Sequence, residues 1–278
     1  MEKAREFQKN IYFCGLWGMV EDRKAWRNVV HGVTMGRTQL HDQQQQFSLC
    51  LCHLDTLAGA RVLITGVSCG IGEQVPYHYA RFQAQIVLTA RRETLLQKLT
   101  KKVFCFPADM ASPEEPKKLV QFTLEHLGGL DYVVLNHIGW IPFAVWDGDV
   151  DHIRGLMQVN FLSYVTSAAA ALPALTESKG SLLVVSSLLG EIATPFMTTY
   201  SATKFALEGF FGSFCHELAM KKKDVSMTLY ILGLTDMERT EALNAAPASK
   251  AALAIVKGGS TRAREVFYPW TIQMLCWI

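Results

Sequence analysis

The hydrophobic pattern from Gly59 onward alternates short apolar runs with longer segments of helical spacing. Apolar runs of strand length occupy residues 61–65, 86–89, 103–106, 131–135, 181–185 and 225–231, with a weaker run at 265–268. Apolar residues recur at helical spacing over 113–127, 149–175 and 200–220. Strands that are apolar throughout and alternate with helices are typical of a parallel sheet covered on both faces. The pattern predicts a doubly wound α/β fold in a single domain over residues 57–278.

Residues 1–56 show no such pattern. They mix single aromatic residues, scattered charge and a glutamine run at 43–46, without a sustained strand or helix period. We expect a poorly ordered extension, part of which resembles translated interspersed-repeat sequence. The first residues lack the apolar core of a signal peptide, and no uninterrupted apolar stretch reaches the roughly 18 residues of a membrane span. The sequence predicts neither a secretion signal nor a transmembrane segment.

Composition and charge exclude several classes of function. A chain that is 50% hydrophobic and 19% charged is not intrinsically disordered as a whole. A net charge of +2 gives no electrostatic footprint for nucleic acid or an anionic membrane. The seven cysteines are odd in number and form no C-x-x-C pair, which argues against a disulfide framework. We expect the partner to be a small molecule in a pocket.

A metal site is also not expected. Cys50, Cys52 and His53 could suggest a ligand cluster, but no second ligand pair lies at the spacing of a zinc site. These cysteines are better explained as small, mostly apolar side chains.

The first predicted strand runs into a glycine loop that reads TGVSCGIG over residues 65–72 and leads into a helical segment. Glycines are needed in such a loop because the chain turns tightly and side chains would keep a pyrophosphate from the backbone amides. Three glycines in one turn are weak evidence in a chain that has 20 of them. Their position between strand and helix favours a dinucleotide site in a Rossmann-like fold.

The end of the second predicted strand discriminates between cofactors. An NAD site usually has an acidic residue there, whereas this chain has Arg91 and Arg92. Guanidinium groups suit a 2′-phosphate, so NADP is favoured over NAD, the alternative being a solvated arginine pair at a helix start. Asp109, after the third strand, could accept a hydrogen bond from adenine or serve as an ordinary helix cap.

A tyrosine and a lysine lie four residues apart at Tyr200 and Lys204, on one face of a predicted helix. Alone, the pair is weak evidence, because a Tyr-x-x-x-Lys spacing also arises by chance. Ser187 follows the strand at 181–185, close enough along the chain for a loop to bring its hydroxyl beside the phenol. Both residues then lie at the carboxyl ends of strands, where this fold binds its ligands.

Together these residues resemble a known family. The glycine loop, Asn136, Asn160, Ser187 and the Tyr200–Lys204 pair match the short-chain dehydrogenase/reductase family in order and spacing. Within the family, five segments are similar to the 11β-hydroxysteroid dehydrogenase branch: LNHI at 135–138, VNFLSY at 159–164, VVSSL at 184–188, YSATKFAL at 200–207 and ILGL at 231–234. The resemblance covers about residues 59–270.

The resemblance implies an NADP-dependent oxidoreductase that interconverts a hydroxyl and a carbonyl on a steroid or similar lipid. Tyr200 would be the general acid/base, because the Lys204 cation lowers the pKa of a phenol that is otherwise near 10. Ser187 would hold the substrate oxygen, Asn160 would maintain a water-linked relay to Lys204, and Lys204 would also grip the nicotinamide ribose. The implied cofactor contacts are Gly66, Ser68, Cys69, Gly70, Ile71, Gly72, Arg91, Arg92, Asp109, Met110, Asn136, Tyr200, Lys204, Gly233 and Thr235.

Each of these residues also has a structural alternative. Ser187 could be a plain strand-end hydroxyl, Asn160 a buried polar group of a helix, and Tyr200 an ordinary residue at a helix start. Asn136 could simply bridge neighbouring strands. A sterol-sized pocket could be lined by apolar side chains that also suit a plain core: Leu188, Leu189, Phe196, Leu234 and Met237.

The chain departs from the family pattern at several points. Cys69 stands where relatives in this branch often have a basic residue, and Pro76 falls inside the helix after the glycine loop, where a kink is expected. The crossover at 89–103 and the segment at 241–248 are short, and the chain ends soon after Trp270. The competing hypothesis is therefore a catalytically impaired dinucleotide-binding scaffold or a defective isoform. The resemblance further implies a homodimer and an endoplasmic-reticulum or secreted location.

Overall fold

The computed structural model describes residues 54–91, 103–233, 235–236 and 246–277. Seven strands form one parallel sheet in the order β3-β2-β1-β4-β5-β6-β9. They are β1 Arg61–Thr65, β2 Gln85–Thr89, β3 Val103–Cys105, β4 Tyr132–Leu135, β5 Ser181–Val185, β6 Ser226–Leu232 and β9 Glu265–Tyr268. The short strands β7 Thr235–Asp236 and β8 Ala246–Pro247 pair separately. The predicted doubly wound fold is confirmed.

Helices cover both faces of the sheet. They are α1 Ile71–Arg81, α2 Glu115–Leu127, α3 Val150–Met157, α4 Ser163–Ser178, α5 Thr198–Met220 and α6 Ala248–Ser260, with 3-10 turns at Asp55–Leu57, Leu188–Gly190 and Trp270–Trp277. Alternate residues of β1 face opposite sides, so Leu63 joins a core with α2, α4 and α5, and Val62 one with α1 and α6. Burial on both faces explains why the strands read as continuous apolar runs.

Helix α6 is an element that the sequence pattern did not predict. Near its end, a Cβ on Gly258 would lie 2.7 Å from the Tyr230 hydroxyl, and one on Gly259 would lie 2.6 Å from Leu183 Cδ2. Both glycines are therefore required for the helix to approach the sheet closely. In a sequence, two adjacent glycines indicate a helix end instead.

Helix α1 continues from Ile71 to Arg81 through the buried Pro76. Because proline lacks an N–H, the carbonyl of Gly72 loses its helical donor at that point. The expected kink remains a prediction. The short crossover and the 241–248 segment fall largely outside the described residues, as does most of 1–56. Leu54 and Leu57, at the beginning of the described chain, are already buried in the core with α1 and α6.

One helical run, Val150–Ser178, is long and apolar enough to cross a membrane by length and composition alone. It packs against α2 and the strands β4 and β5 in this fold. Asn160, Ser163 and Ser167 are buried polar residues within it. These buried polar side chains face the interior of the protein, whereas only 39% of the apolar window is buried.

An ion pair joins the amino ends of the central strands. Arg61 Nη2 lies 2.7 Å from Asp131 Oδ1, and Arg61 Nε and its backbone N–H both donate to Oδ2, at 2.9 and 2.8 Å. Partial burial works against the charged carboxylate, but the hydrogen bonds and charge of Arg61 prevail and lower the pKa of Asp131 below its ordinary 3.8. The pair therefore stabilises the register in which β1 pairs with β4.

We expect Asp131→Asn to lower the free energy of unfolding by roughly 1–2 kcal/mol at pH 7, because it removes the charge from three hydrogen bonds. A lowered folded-state pKa means that the contribution is complete above about pH 4 and is lost as the pH falls through that lowered value. Urea unfolding at neutral and at acid pH measures both the loss of unfolding free energy and its dependence on pH. The control is Asp224→Asn, whose 2.6 Å pair with Arg262 is more exposed. An equal decrease in unfolding free energy in the two variants would contradict the stabilising role of the Arg61–Asp131 pair.

Candidate active site

The glycine loop after β1 forms a cradle closed to side chains. Gly66 and Gly70 have φ values of +71° and +60°, in the region that favours glycine. A Cβ on Gly72 would lie 2.0 Å from the Gly66 carbonyl oxygen, and a Cβ on Gly66 would lie 2.6 Å from His137 Cα. Only glycine fits at these two positions, and helix α1 begins at Ile71 with its first amides beside this loop.

Asn136 fastens this cradle to the next strand of the sheet. Its backbone N–H donates to Thr65 Oγ1 at 2.9 Å, and its side-chain Nδ2 donates to the Gly66 carbonyl at 3.1 Å. The residue bridges the end of β4 and the glycine loop, as its structural alternative proposed, and in doing so it fixes the loop itself. The glycines, the helix start and this tie together fit a bound pyrophosphate.

The remaining predicted cofactor residues lie around this edge. Arg91 is exposed directly after β2, while Arg92 is outside the described residues. The Asp109 carboxylate accepts from the Ala111 N–H at 3.1 Å and caps a turn; helix α2 begins later, so Asp109 is not its cap. The other positions are Ser68 and the exposed Cys69 in the loop, buried Met110 after Asp109, Gly233 after β6, and Thr235 in β7.

Lys204 is the central charge of the site. Its side chain is only 3% exposed, and its ammonium donates to the Val185 carbonyl at the end of β5, at 2.9 Å. Burial lowers the pKa of Lys204 from 10.5 to about 8, while the Glu208 carboxyl nearby raises it. The ammonium lies 5.7 Å from the centre of the Tyr200 ring, so the two predicted catalytic side chains are neighbours.

Tyr200 and Ser187 enter this site from two different elements. Tyr200 lies in the first turn of α5 and is half-buried. Ser187 follows β5, and its Oγ accepts from the Leu189 N–H at 3.2 Å, which caps the short turn after the strand. Ser187 thus fills the strand-end structural role of its alternative, and its hydroxyl hydrogen is not used in that bond.

Asn160 is aimed inward by a five-residue π turn, Gln158–Leu162, between α3 and α4. Such turns are rare and occur frequently at functional sites. The buried Asn160 side chain accepts from the Gly139 N–H at 2.8 Å and donates to Thr203 Oγ1 at 3.2 Å. It therefore links the loop after β4 to the residue beside Lys204.

Two further polar groups lie near Lys204: Glu208, one turn further along α5, and Ser186, directly after β5. Burial raises the pKa of Glu208 to about 7, and the carboxyls of Glu191 and Glu265 act in the same direction. The nearby Ser186 hydroxyl opposes this increase, but neither it nor Glu208 Oε1 is in hydrogen-bonding geometry with any partner. The sequence analysis missed Glu208, although its spacing of four residues from Lys204 on one helix was a usable signal.

A family model described as short chain dehydrogenase matches residues 60–248 of the chain. The chain belongs to the short-chain dehydrogenase family. It is 59% identical to the Hydroxysteroid 11-beta-dehydrogenase 1-like protein of Gallus gallus over 234 residues, which covers 79% of this chain and 82% of the relative. The Xenopus tropicalis protein of the same name is 54% identical over 80% of this chain and 83% of the relative.

Solved structures of other short-chain dehydrogenases share the fold. A Burkholderia phymatum enzyme in complex with NAD has a TM-score of 0.73 at 16% identity, covering 80% of this chain and 92% of that one. A Burkholderia cenocepacia enzyme in complex with NADP has a TM-score of 0.68 at 23% identity, covering 76% and 96%. As a short-chain dehydrogenase, the chain is an oxidoreductase with a site for a nicotinamide dinucleotide.

Within the described residues, no group of three His, Cys, Asp or Glu side chains is arranged to hold a metal ion. Cys50, Cys52 and His53 lie outside those residues.

Of the apolar residues predicted to line a substrate pocket, Leu188, Leu189 and Phe196 are half-buried and lie near Ser187 and Tyr200 in the chain. The centre of the Phe196 ring lies 5.3 Å from that of Phe143. Leu234 and Met237 are outside the described part of this dehydrogenase.

Proposed function

We propose that this short-chain dehydrogenase uses NADP(H) to interconvert a hydroxyl and a carbonyl on a steroid or similar lipid, with Tyr200 as general acid/base. The observation that carries the proposal is the desolvated Lys204 ammonium 5.7 Å from the Tyr200 ring centre. A cation at this distance in a dry site favours the phenolate form of Tyr200, which is the form that can accept a proton from the substrate.

In the oxidative direction, the Tyr200 phenolate, stabilised by the Lys204 ammonium, accepts the proton of the substrate hydroxyl and becomes the neutral phenol. The hydroxyl of Ser187 donates to the substrate oxygen and orients it toward Tyr200. In the reductive direction, Tyr200 returns the proton to the carbonyl oxygen. When bound, the dinucleotide supplies the hydride acceptor or donor. Asn160, tied to Gly139 and Thr203, maintains the route by which Lys204 exchanges protons with solvent.

A lipid substrate is supported by apolar side chains around this edge of the sheet. The loop after β4 carries Ile138, Trp140, Val145 and Trp146, which are 44%, 73%, 74% and 48% exposed. The names of the curated relatives refer to a hydroxysteroid, which agrees with this apolar surface. Exposed apolar residues grouped on one loop favour a ligand with large hydrocarbon area.

NADP is favoured over NAD by Arg91, which is exposed at the end of β2 beside the glycine loop, together with Arg92. No acidic residue stands at the positions directly after β2 that usually bind the ribose hydroxyls of NAD. Since Cys69 does not supply a positive charge, the two arginines carry the contact with the 2′-phosphate.

We further propose a homodimer formed by the outer faces of α4 and α5. Leu162, directly before α4, and Phe205 and Phe210 in α5 are 46%, 44% and 38% exposed. A Cβ on Gly209 or Gly212 would meet no atom within 4 Å, so a helix of a second copy has room to approach α5 closely. Paired helices of this kind form a four-helix contact, which the family resemblance also implies.

We expect Tyr200→Phe to lower kcat for steroid turnover by about 10²- to 10⁴-fold, the usual contribution of a positioned acid/base. NADPH affinity, measured by fluorescence titration, should change by less than about threefold because binding uses other groups as well. Turnover is followed by NADPH absorbance with 11-oxo and 11-hydroxy steroids. Tyr77→Phe, on the exposed side of α1, is the matched control. NADPH binding by the unmodified protein without turnover of any steroid would support the scaffold hypothesis instead.

Replacing both Arg91 and Arg92 with alanine should raise the KM for NADP by roughly tenfold to hundredfold, because charge-assisted hydrogen bonds to the phosphate are lost. The KM for NAD should stay within about twofold. Arg154→Ala, an exposed arginine in α3, controls for the loss of surface charge. A parallel increase for both cofactors would contradict the assignment.

Sedimentation velocity at micromolar concentration tests the dimer, whose mass is twice the 31.0 kDa of the chain. Phe205→Glu should produce the monomer, because it places a charge in the apolar contact. Glu125→Lys, on the exposed surface of α2, should leave the dimer intact. A monomer in the unmodified protein would exclude this interface.

A further inference from the structure

Two buried aromatic side chains beside Lys204 have no role in the steps described so far. His137 follows Asn136 after β4, and Tyr164 lies near the start of α4, four residues after Asn160. The Tyr164 hydroxyl donates to the His137 carbonyl at 2.6 Å, and the two rings lie 4.4 Å apart between centres. Tyr164 is therefore held by both its hydroxyl and its ring.

His137 is itself fixed at both ring nitrogens. Nε2 lies 2.6 Å from Ser163 Oγ and Nδ1 lies 2.8 Å from Thr65 Oγ1. Because Ser163 Oγ donates its hydrogen to the Val159 carbonyl, Nε2 of the neutral ring carries the imidazole hydrogen. Nδ1 then accepts from Thr65 Oγ1, whose other acceptor is the more distant Val134 carbonyl at 3.2 Å. Burial and the charge of Lys204 lower the pKa of His137 to about 3, so the ring stays neutral. His137 is a rigid anchor between β1 and α4.

Tyr164 is not a second acid/base. Its side chain is fully buried, and burial together with the nearby Tyr200 raises its pKa well above 10. The phenol therefore keeps its hydrogen, which the His137 carbonyl accepts. What Tyr164 presents to the site is its ring.

That ring lies beside the catalytic cation. The Lys204 ammonium is 5.6 Å from the centre of the Tyr164 ring and 5.7 Å from that of Tyr200. An ammonium within about 6 Å of an aromatic face is attracted to it, and the attraction increases when both are removed from water. Among the residues that the structure describes, the ammonium donates one hydrogen bond, to the Val185 carbonyl, and the two rings and the Glu208 carboxyl are its other stabilising neighbours.

We propose that Tyr164 is a positioning residue whose ring, held by His137, stabilises the buried Lys204 ammonium and keeps it charged beside Tyr200. The inference rests on the proposed function, in which the Lys204 charge activates Tyr200. It adds a second aromatic support for that charge and connects the support through His137 to Thr65 at the glycine loop.

The test compares two rings of nearly equal shape and opposite electrostatics. Tyr164→Phe keeps the ring face, whereas pentafluorophenylalanine, introduced at the same position by nonsense suppression, reverses its quadrupole. The pKa of Lys204 is measured in the full-length, cofactor-free protein by the pH dependence of its 13Cε resonance, assigned with Lys204→Met. We expect the pKa to fall by about one pH unit from the Phe variant to the fluorinated one.

Activity provides the second measurement. In the fluorinated protein the decline of kcat toward alkaline pH should move to lower pH by about one unit, because Lys204 loses its charge earlier. The KM for the steroid should change by less than about twofold. The Tyr164→Phe variant is the reference for this shift, because both variants lack the hydroxyl and differ only in the electrostatics of the ring.

Equal Lys204 pKa values in the two variants would overturn the inference, as would a value that rises with fluorination. The outcome is separable from the proposed function. If the unmodified protein turns over no steroid, the proposed function fails while the Lys204 titration still tests the ring contact. If turnover is normal and the titration does not respond to fluorination, only the role of Tyr164 fails.

Discussion

The buried ammonium of Lys204 is the constraint around which the catalytic edge of the sheet is arranged. A lysine removed from water is costly unless its charge is compensated, and here one carbonyl, two aromatic rings and a carboxyl one helical turn away share that task. The compensation is incomplete, so burial still lowers the pKa of Lys204 to about 8. Because this pKa is close to neutral pH, small changes around the lysine change the fraction of it that is charged.

The parallel sheet supplies the geometry for this arrangement. Val185 and Ser187 come from the end of β5, Thr65 from β1 and Asn136 from β4, so neighbouring strands deliver their last residues to one edge. The π turn at 158–162 then directs Asn160 to the same edge from a helix. A regular α-helix through this segment would rotate the residues before or after it, and the asparagine could not face both Gly139 and Thr203.

Most of the parallel sheet could be predicted from the sequence, because strands buried on both faces give unbroken apolar runs. The bounds of β1, β5 and β9 agree with the pattern, and those of the other four strands in the large sheet differ by about one residue. The two-residue strands β7 and β8 were not predicted. Helix α6 was missed because its two glycines serve packing against Tyr230 and Leu183, a tertiary reason with no local signature. The roles of His137 and Tyr164 were hidden for the same reason. Their partners Thr65 and Lys204 lie 72 and 40 residues away along the chain.

Separations of this size also govern how the molecule reaches its native state. Arg61 bonds to Asp131 across 70 residues, and Asn136 and His137 bond back to the first strand over 70 residues or more. Contacts so distant in the chain must bear the entropy of closing long loops before they contribute any stability, and parallel topologies therefore fold slowly. The Tyr200 helix can form from local contacts, but its lysine gains the Val185 carbonyl and the Tyr164 ring only when β5 and α4 have packed against it. An isolated α5 would therefore leave the lysine in water, and the catalytic pair becomes dry and charged as required only once these long-range contacts exist.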